Sequence, residues 1–135
     1  MFIQNVSMAS IIKGNHINTP NTALIQIQDY GAWQFVKPAK SFIKTAQFKF
    51  DDHDDPDRKT NCTTEQADEI GAFLISCYNE KLNVIVHCHA GLCRSGAVAE
   101  AGVILGFEDT GAIRMPNILV KTRILKSLGI TNSWD

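Results

Sequence analysis

Four segments of strand length, each rich in apolar residues, punctuate the chain: Phe2–Met8, Ala23–Gln28, Thr45–Phe50 and Leu82–Cys88. The last is nearly continuous in apolar character, as expected of a central parallel strand buried on both faces. Between the third and fourth, Thr63 and Gln66 stand at capping-box spacing, and Ile70, Phe73, Leu74 and Cys77 follow with helical periodicity. Arg94–Phe107 is apolar almost all round, which predicts a helix lying against the sheet in the core. A third helix is expected after Met115-Pro116, from Asn117 to Leu128, with Gly129 as its stop. Strand–helix–strand alternation predicts an α/β fold. We expect a single-domain sandwich over residues 1–135, with a central, mostly parallel sheet flanked by helices. An active site would then lie at the carboxyl edge of the strands. The opening stretch through Pro20 carries no functional signal of its own.

Composition narrows the class of protein. A chain of 135 residues builds one core without disulfide staples, and 44% hydrophobic with 20% charged residues is ordinary for a globular domain. A net charge of −1 favours neither a nucleic-acid partner nor an anionic membrane surface. No apolar run approaches the roughly 18 residues of a bilayer span. The start Met1-Phe2-Ile3-Gln4-Asn5 lacks the basic and apolar regions of a signal peptide. Cys62, Cys77, Cys88 and Cys93 are therefore expected as free thiols in a reducing cytoplasm, bacterial or, for a viral gene, that of a host.

The chemistry concentrates in His87-Cys88-His89-Ala90-Gly91-Leu92-Cys93-Arg94-Ser95. A cysteine at the end of a buried strand, then a short loop, then a helix start, is the geometry of an anion cradle. Backbone N–H groups turn inward and the helix N-terminus adds partial positive charge. Arg94 supplies a two-pronged grip on phosphate oxygens. The same field favours the thiolate of Cys88 and makes it a nucleophile. Residues 89–94, namely His89, Ala90, Gly91, Leu92, Cys93 and Arg94, are the expected phosphate-binding set.

Residues 87–95 resemble the His-Cys-x5-Arg-Ser/Thr loop of the cysteine-based protein tyrosine phosphatase superfamily, matching it without a gap. The resemblance implies a dual-specificity-phosphatase-like fold with Cys88 as nucleophile and Arg94 as the phosphate clamp. It implies that Ser95 hydrogen-bonds the sulfur and that His87 supports the loop from beneath. Ala23–Asp29, Thr45–Asp52 and Ile113–Leu128 extend the likeness toward small bacterial and phage tyrosine-phosphatase-like proteins. In the low-molecular-weight branch a second cysteine stands where Cys93 does, so by analogy oxidation would join Cys88 to Cys93 reversibly. The plainer alternative is a small residue fitted to a tight loop.

Ester cleavage also needs an acid for the leaving oxygen. The resemblance places it on a loop just past a strand and one helix upstream of the cysteine, where Asp51-Asp52-His53-Asp54-Asp55-Pro56-Asp57 stands. Asp52 ranks first, with Asp54 and Asp55 as alternatives. Calcium does not suit this run, which lacks the required turn glycine and closing glutamate. Zinc does not suit the His/Cys cluster at 87–93, whose spacing is wrong. No metal or cofactor is expected.

The implied activity is hydrolysis of a phosphomonoester through a phosphocysteine, on a phosphorylated protein or peptide, with tyrosine-only and dual specificity both open. A nucleotide or phosphoinositide substrate, a catalytically weak phosphate-binding adaptor, and sulfur or arsenate chemistry on a similar loop are the alternatives.

Overall fold

The computed structural model describes residues 1–130, so the last five positions of the expected domain lie outside the described residues. The elements run β1 (Phe2–Ser7), α1 (Met8–Lys13), β2 (Thr22–Gln28), β3 (Thr45–Lys49), α2 (Thr64–Asn79), β4 (Asn83–Cys88), α3 (Arg94–Leu105), β5 (Glu108–Asp109) and α4 (Ile118–Ser127). The fold is α/β, with one five-stranded sheet in the order β3-β2-β4-β1-β5 and every pairing parallel.

Three features depart from the sequence expectation. The first strand stops at Ser7 rather than Met8, because the Ser7 hydroxyl accepts the Ser10 N–H and opens the unforeseen helix α1. That helix ends at Gly14, whose φ of +75° suits glycine. The connection from β2 to β3 crosses without a helix, a return for which the sequence named no element. It is instead pinned by buried glutamines: Gln28 donates to the Gln34 carbonyl (2.9 Å) and accepts from the Val36 N–H (2.8 Å), while Gln26 donates to the Val36 carbonyl (3.0 Å). These side chains satisfy backbone groups that a crossover helix would have satisfied internally. Finally, β5 adds a two-residue edge beside β1.

The sheet is covered unequally. On one face, Ala23, Ile25, Ile27, Val84 and Val86 pack against Ile70, Leu74 and Cys77 of α2, Ala97, Val98 and Ala101 of α3, and Val120 and Ile124 of α4. On the other, Ile11 of α1 meets Leu24 and Ile85, with Val36 and Phe42 of the β2–β3 connection at the border. The predicted capping box of α2 is present in both directions between Thr63 and Gln66 (3.0 Å each). Asn117 caps α4 by accepting the Val120 N–H.

Strand order decides where a ligand would sit. From β1 the chain crosses to β2 on one side of the sheet; from β4 it crosses to β5 on the other. The two connections diverge, leaving a crevice at the carboxyl ends of β1 and β4. Residues 88–94 fill the floor of that crevice.

Candidate active site

The loop after β4 is shaped by what holds its carbonyl groups. The His89 carbonyl accepts from the Met8 N–H (3.1 Å), Gly91 from Asn5 Nδ2 (2.7 Å), Leu92 from the Met115 N–H (3.0 Å) and Cys93 from the Asn117 N–H (3.0 Å). In a planar trans peptide the following N–H points opposite to the carbonyl. The N–H groups of Ala90, Leu92, Cys93 and Arg94 are thereby turned to the concave side, forming a nest for an anion. Gly91 makes the curvature possible. Its φ is +78°, and a Cβ there would stand 2.4 Å from the Val6 carbonyl carbon and 2.5 Å from the Ser7 nitrogen.

Cys88 ends β4 with its sulfur 3.1 Å from the Ser95 hydroxyl oxygen. Burial opposes its ionisation, but the Ser95 hydroxyl, the N–H groups of Ser95 and Gly91, and the Arg94 charge together outweigh it. The thiol is held below its ordinary value. The other cysteines go the opposite way. Burial pushes Cys62 up to about 12 and Cys77 up to about 11. Cys93 is raised by burial and by the neighbouring Asp52 carboxylate. All four are free thiols.

Arg94 is only 5% exposed. Its Nη1 donates to the Asp29 carboxylate (2.8 Å) and to the Phe50 carbonyl (2.8 Å), so β2 and β3 both contribute to aiming it. Its Nε is buried and has no partner among the described residues. A buried guanidinium N–H left without a partner is a donor that an anion seated in the loop would satisfy.

His87 is fully buried, and burial, reinforced by Arg94, holds its ring below the ordinary imidazole value despite an opposing contact to the Cys88 backbone. The ring contacts the Cys88 carbonyl through Nδ1 at 3.2 Å, so it touches the backbone of the cysteine. His89 is exposed and lines a cleft of about 300 Å³ with Met8, Gln28, Asp29, Gly31 and Ala32.

The aspartate run divides by position. Asp52 and Asp54 line a cleft of about 590 Å³ on the other flank of the loop, together with His53, Cys93, Met115, Pro116, Asn117 and Ile118. Asp52 accepts from Asn117 Nδ2 at 2.7 Å. Asp55 accepts the Asp57 N–H (2.9 Å) within its own turn and is absent from that cleft's lining. Asp51 faces elsewhere: its carboxylate accepts the Tyr30 N–H (3.0 Å), and this contact and one to Thr60 hold it below the ordinary carboxylate value.

Three residues that sequence reasoning missed assemble the site. Asn5 ties β1 to Gly91 and, at 3.0 Å, to the Ile113 carbonyl. Asn117 joins the loop, Asp52, the His53 carbonyl (3.0 Å) and the start of α4. Asp29 anchors the arginine. Each carried a weak signal: a buried amide in an apolar strand, an asparagine at a helix start, and an acid just past a strand's carboxyl end. Among the described residues no helix is long and apolar enough to cross a membrane. The chain matches no known protein-family profile, and no curated protein is significantly similar to it.

Proposed function

We propose that this chain is a cysteine-dependent phosphomonoester hydrolase of the protein tyrosine or dual-specificity phosphatase kind, working without a metal. The observation that carries the reading is the meeting of three groups in one cradle. These are a thiol favoured toward its thiolate, inward-facing backbone N–H groups, and a buried guanidinium with an unpaired Nε. The placement of that cradle at the divergent crossovers of an all-parallel sheet supports a dual-specificity-phosphatase-like fold.

The chemistry then follows from the groups present. Phosphate seats in the nest with Arg94 gripping its oxygens, which places phosphorus before the sulfur. The Cys88 thiolate attacks; the S–P bond forms as the P–O ester bond breaks, and the carboxylic acid of Asp52 gives its proton to the leaving oxygen. Water then attacks phosphorus, passes a proton to Asp52 and releases inorganic phosphate as the thiolate returns. Ser95, hydrogen-bonded to the sulfur, stabilises negative charge there at both steps. Asn117 holds Asp52 on the cleft side of the loop. Arg94 and the backbone N–H groups supply the positive field that a metal would otherwise provide.

Assay of para-nitrophenyl phosphate in the presence of a metal chelator tests this reading. Steady turnover, inhibited competitively by orthovanadate, is the expected result. Absence of turnover, or activity that appears only on adding a divalent metal, would overturn it.

A further inference from the structure

The two clefts flanking the loop differ in size, and each has an aspartate in its lining. The larger, about 590 Å³, has Asp52, His53 and Asp54 in its lining together with the apolar Met115, Pro116 and Ile118. The smaller, about 300 Å³, contains Asp29. Among the described residues lining the two clefts there is no lysine or arginine. Of the three aspartates, Asp29 is paired with Arg94 (2.8 Å) and Asp52 is the acid of the proposed step, which leaves Asp54 as the unpaired carboxylate. The cation of the site, Arg94, is buried beneath them. A second phosphate on a substrate would therefore find no lysine or arginine and would be repelled by Asp54, whereas a basic side chain would be attracted to it.

The apolar wall points to the other half of the substrate. Met115 is 66% exposed and Ile118 is 64% exposed, although both are large apolar side chains. They line the same cleft as Asp52, the acid that would serve the leaving oxygen. A thioether and an aliphatic chain offer a flat aromatic ring a favourable contact.

We propose that this cleft selects an aryl phosphate carried on a basic peptide: phosphotyrosine flanked by lysine or arginine. Met115 and Ile118 contact the ring and Asp54 attracts the flanking cation. The inference rests on the phosphatase reading above and narrows it, turning away nucleotides and inositol phosphates that carry further phosphate groups.

The test is a series of phosphotyrosyl peptides of one length, with flanks of Lys/Arg, Ala or Glu/Asp, run beside para-nitrophenyl phosphate. At low ionic strength kcat/KM for basic flanks should exceed that for acidic flanks by about tenfold, the effect of one or two screened charge pairs. At about 0.5 M salt the ratio should fall toward unity. Asp54→Asn should shrink the low-salt ratio by about threefold. Replacing both Met115 and Ile118 by Ser should lower the preference for phosphotyrosyl over phosphoseryl peptide by about fivefold. Equal or inverted rates across the flanks, with para-nitrophenyl phosphate still cleaved, would overturn the inference alone. Failure to cleave any of these esters would instead remove the phosphatase reading beneath it.

Discussion

Cys88→Ser should lower kcat/KM for para-nitrophenyl phosphate by at least about 10⁴-fold, the scale of losing a nucleophile that acts in concert with its surroundings. The substitution is close to isosteric, so β4, the Ser95 contact and the nest should persist. What changes is the chemistry of the attacking atom. The groups that favour the thiolate, namely the Ser95 hydroxyl, the N–H groups of Ser95 and Gly91 and the Arg94 charge, cannot make an alkoxide available near neutral pH. Inorganic phosphate should still bind the variant within a few-fold of the wild-type affinity, since the cradle is built from the backbone and Arg94. Substantial turnover by the serine variant would mean that another group attacks phosphorus.

Arg94→Lys should cost about 10³-fold in kcat/KM, in the range found when a charge-stabilising donor is lost from a transition state. Lysine keeps the charge but not the fork. The native guanidinium spends Nη1 on Asp29 and the Phe50 carbonyl and still holds Nε free. An ammonium cannot satisfy both anchors and grip phosphate in two places. Inorganic phosphate should bind this variant much more weakly, in contrast with Cys88→Ser. A thermal melt of each variant separates loss of the fork from loss of the fold. Near-normal kinetics in a folded Arg94→Lys protein would show that the forked geometry is not used.

The loop was readable in the sequence because its parts are contiguous: residues 87–95 hold the thiol, the turn glycine, the arginine and the hydroxyl in one stretch. The strand β4 and helix α3 around it were also readable, since continuous apolar character marks burial whatever the partner. The residues that complete the site are distant in sequence. Asn5 meets Gly91 and Asp29 meets Arg94 only because β1 and β2 both flank β4, and periodicity in a single chain does not encode strand order. The opening stretch, silent on function when read alone, supplies the backbone against which Gly91 packs.

The connection between β2 and β3 was missed for a related reason. Alternation of strands and helices is the usual way to return a parallel strand, and Gly31 and Pro38 weaken a helix without announcing its replacement. Buried Gln26 and Gln28 are what replace it. They stood on a strand that otherwise reads as apolar, and their partners could not be inferred from spacing. Within the aspartate run, composition alone left five candidates of equal chemistry. Geometry separates Asp52 and Asp54, on the cleft, from Asp51 and Asp55, which serve backbone N–H groups.

The four thiols offer the most direct measurement of whether residue 88 is held ionised opposite residue 94. Iodoacetate alkylation followed by peptide mass analysis, run across pH, reports each cysteine separately. Cys88 should label with a midpoint below the ordinary thiol value and be protected by inorganic phosphate, while buried Cys62 and Cys77, raised to about 12 and about 11, stay unlabelled. A Cys88 midpoint at or above the ordinary thiol value, with no protection by phosphate, would contradict it.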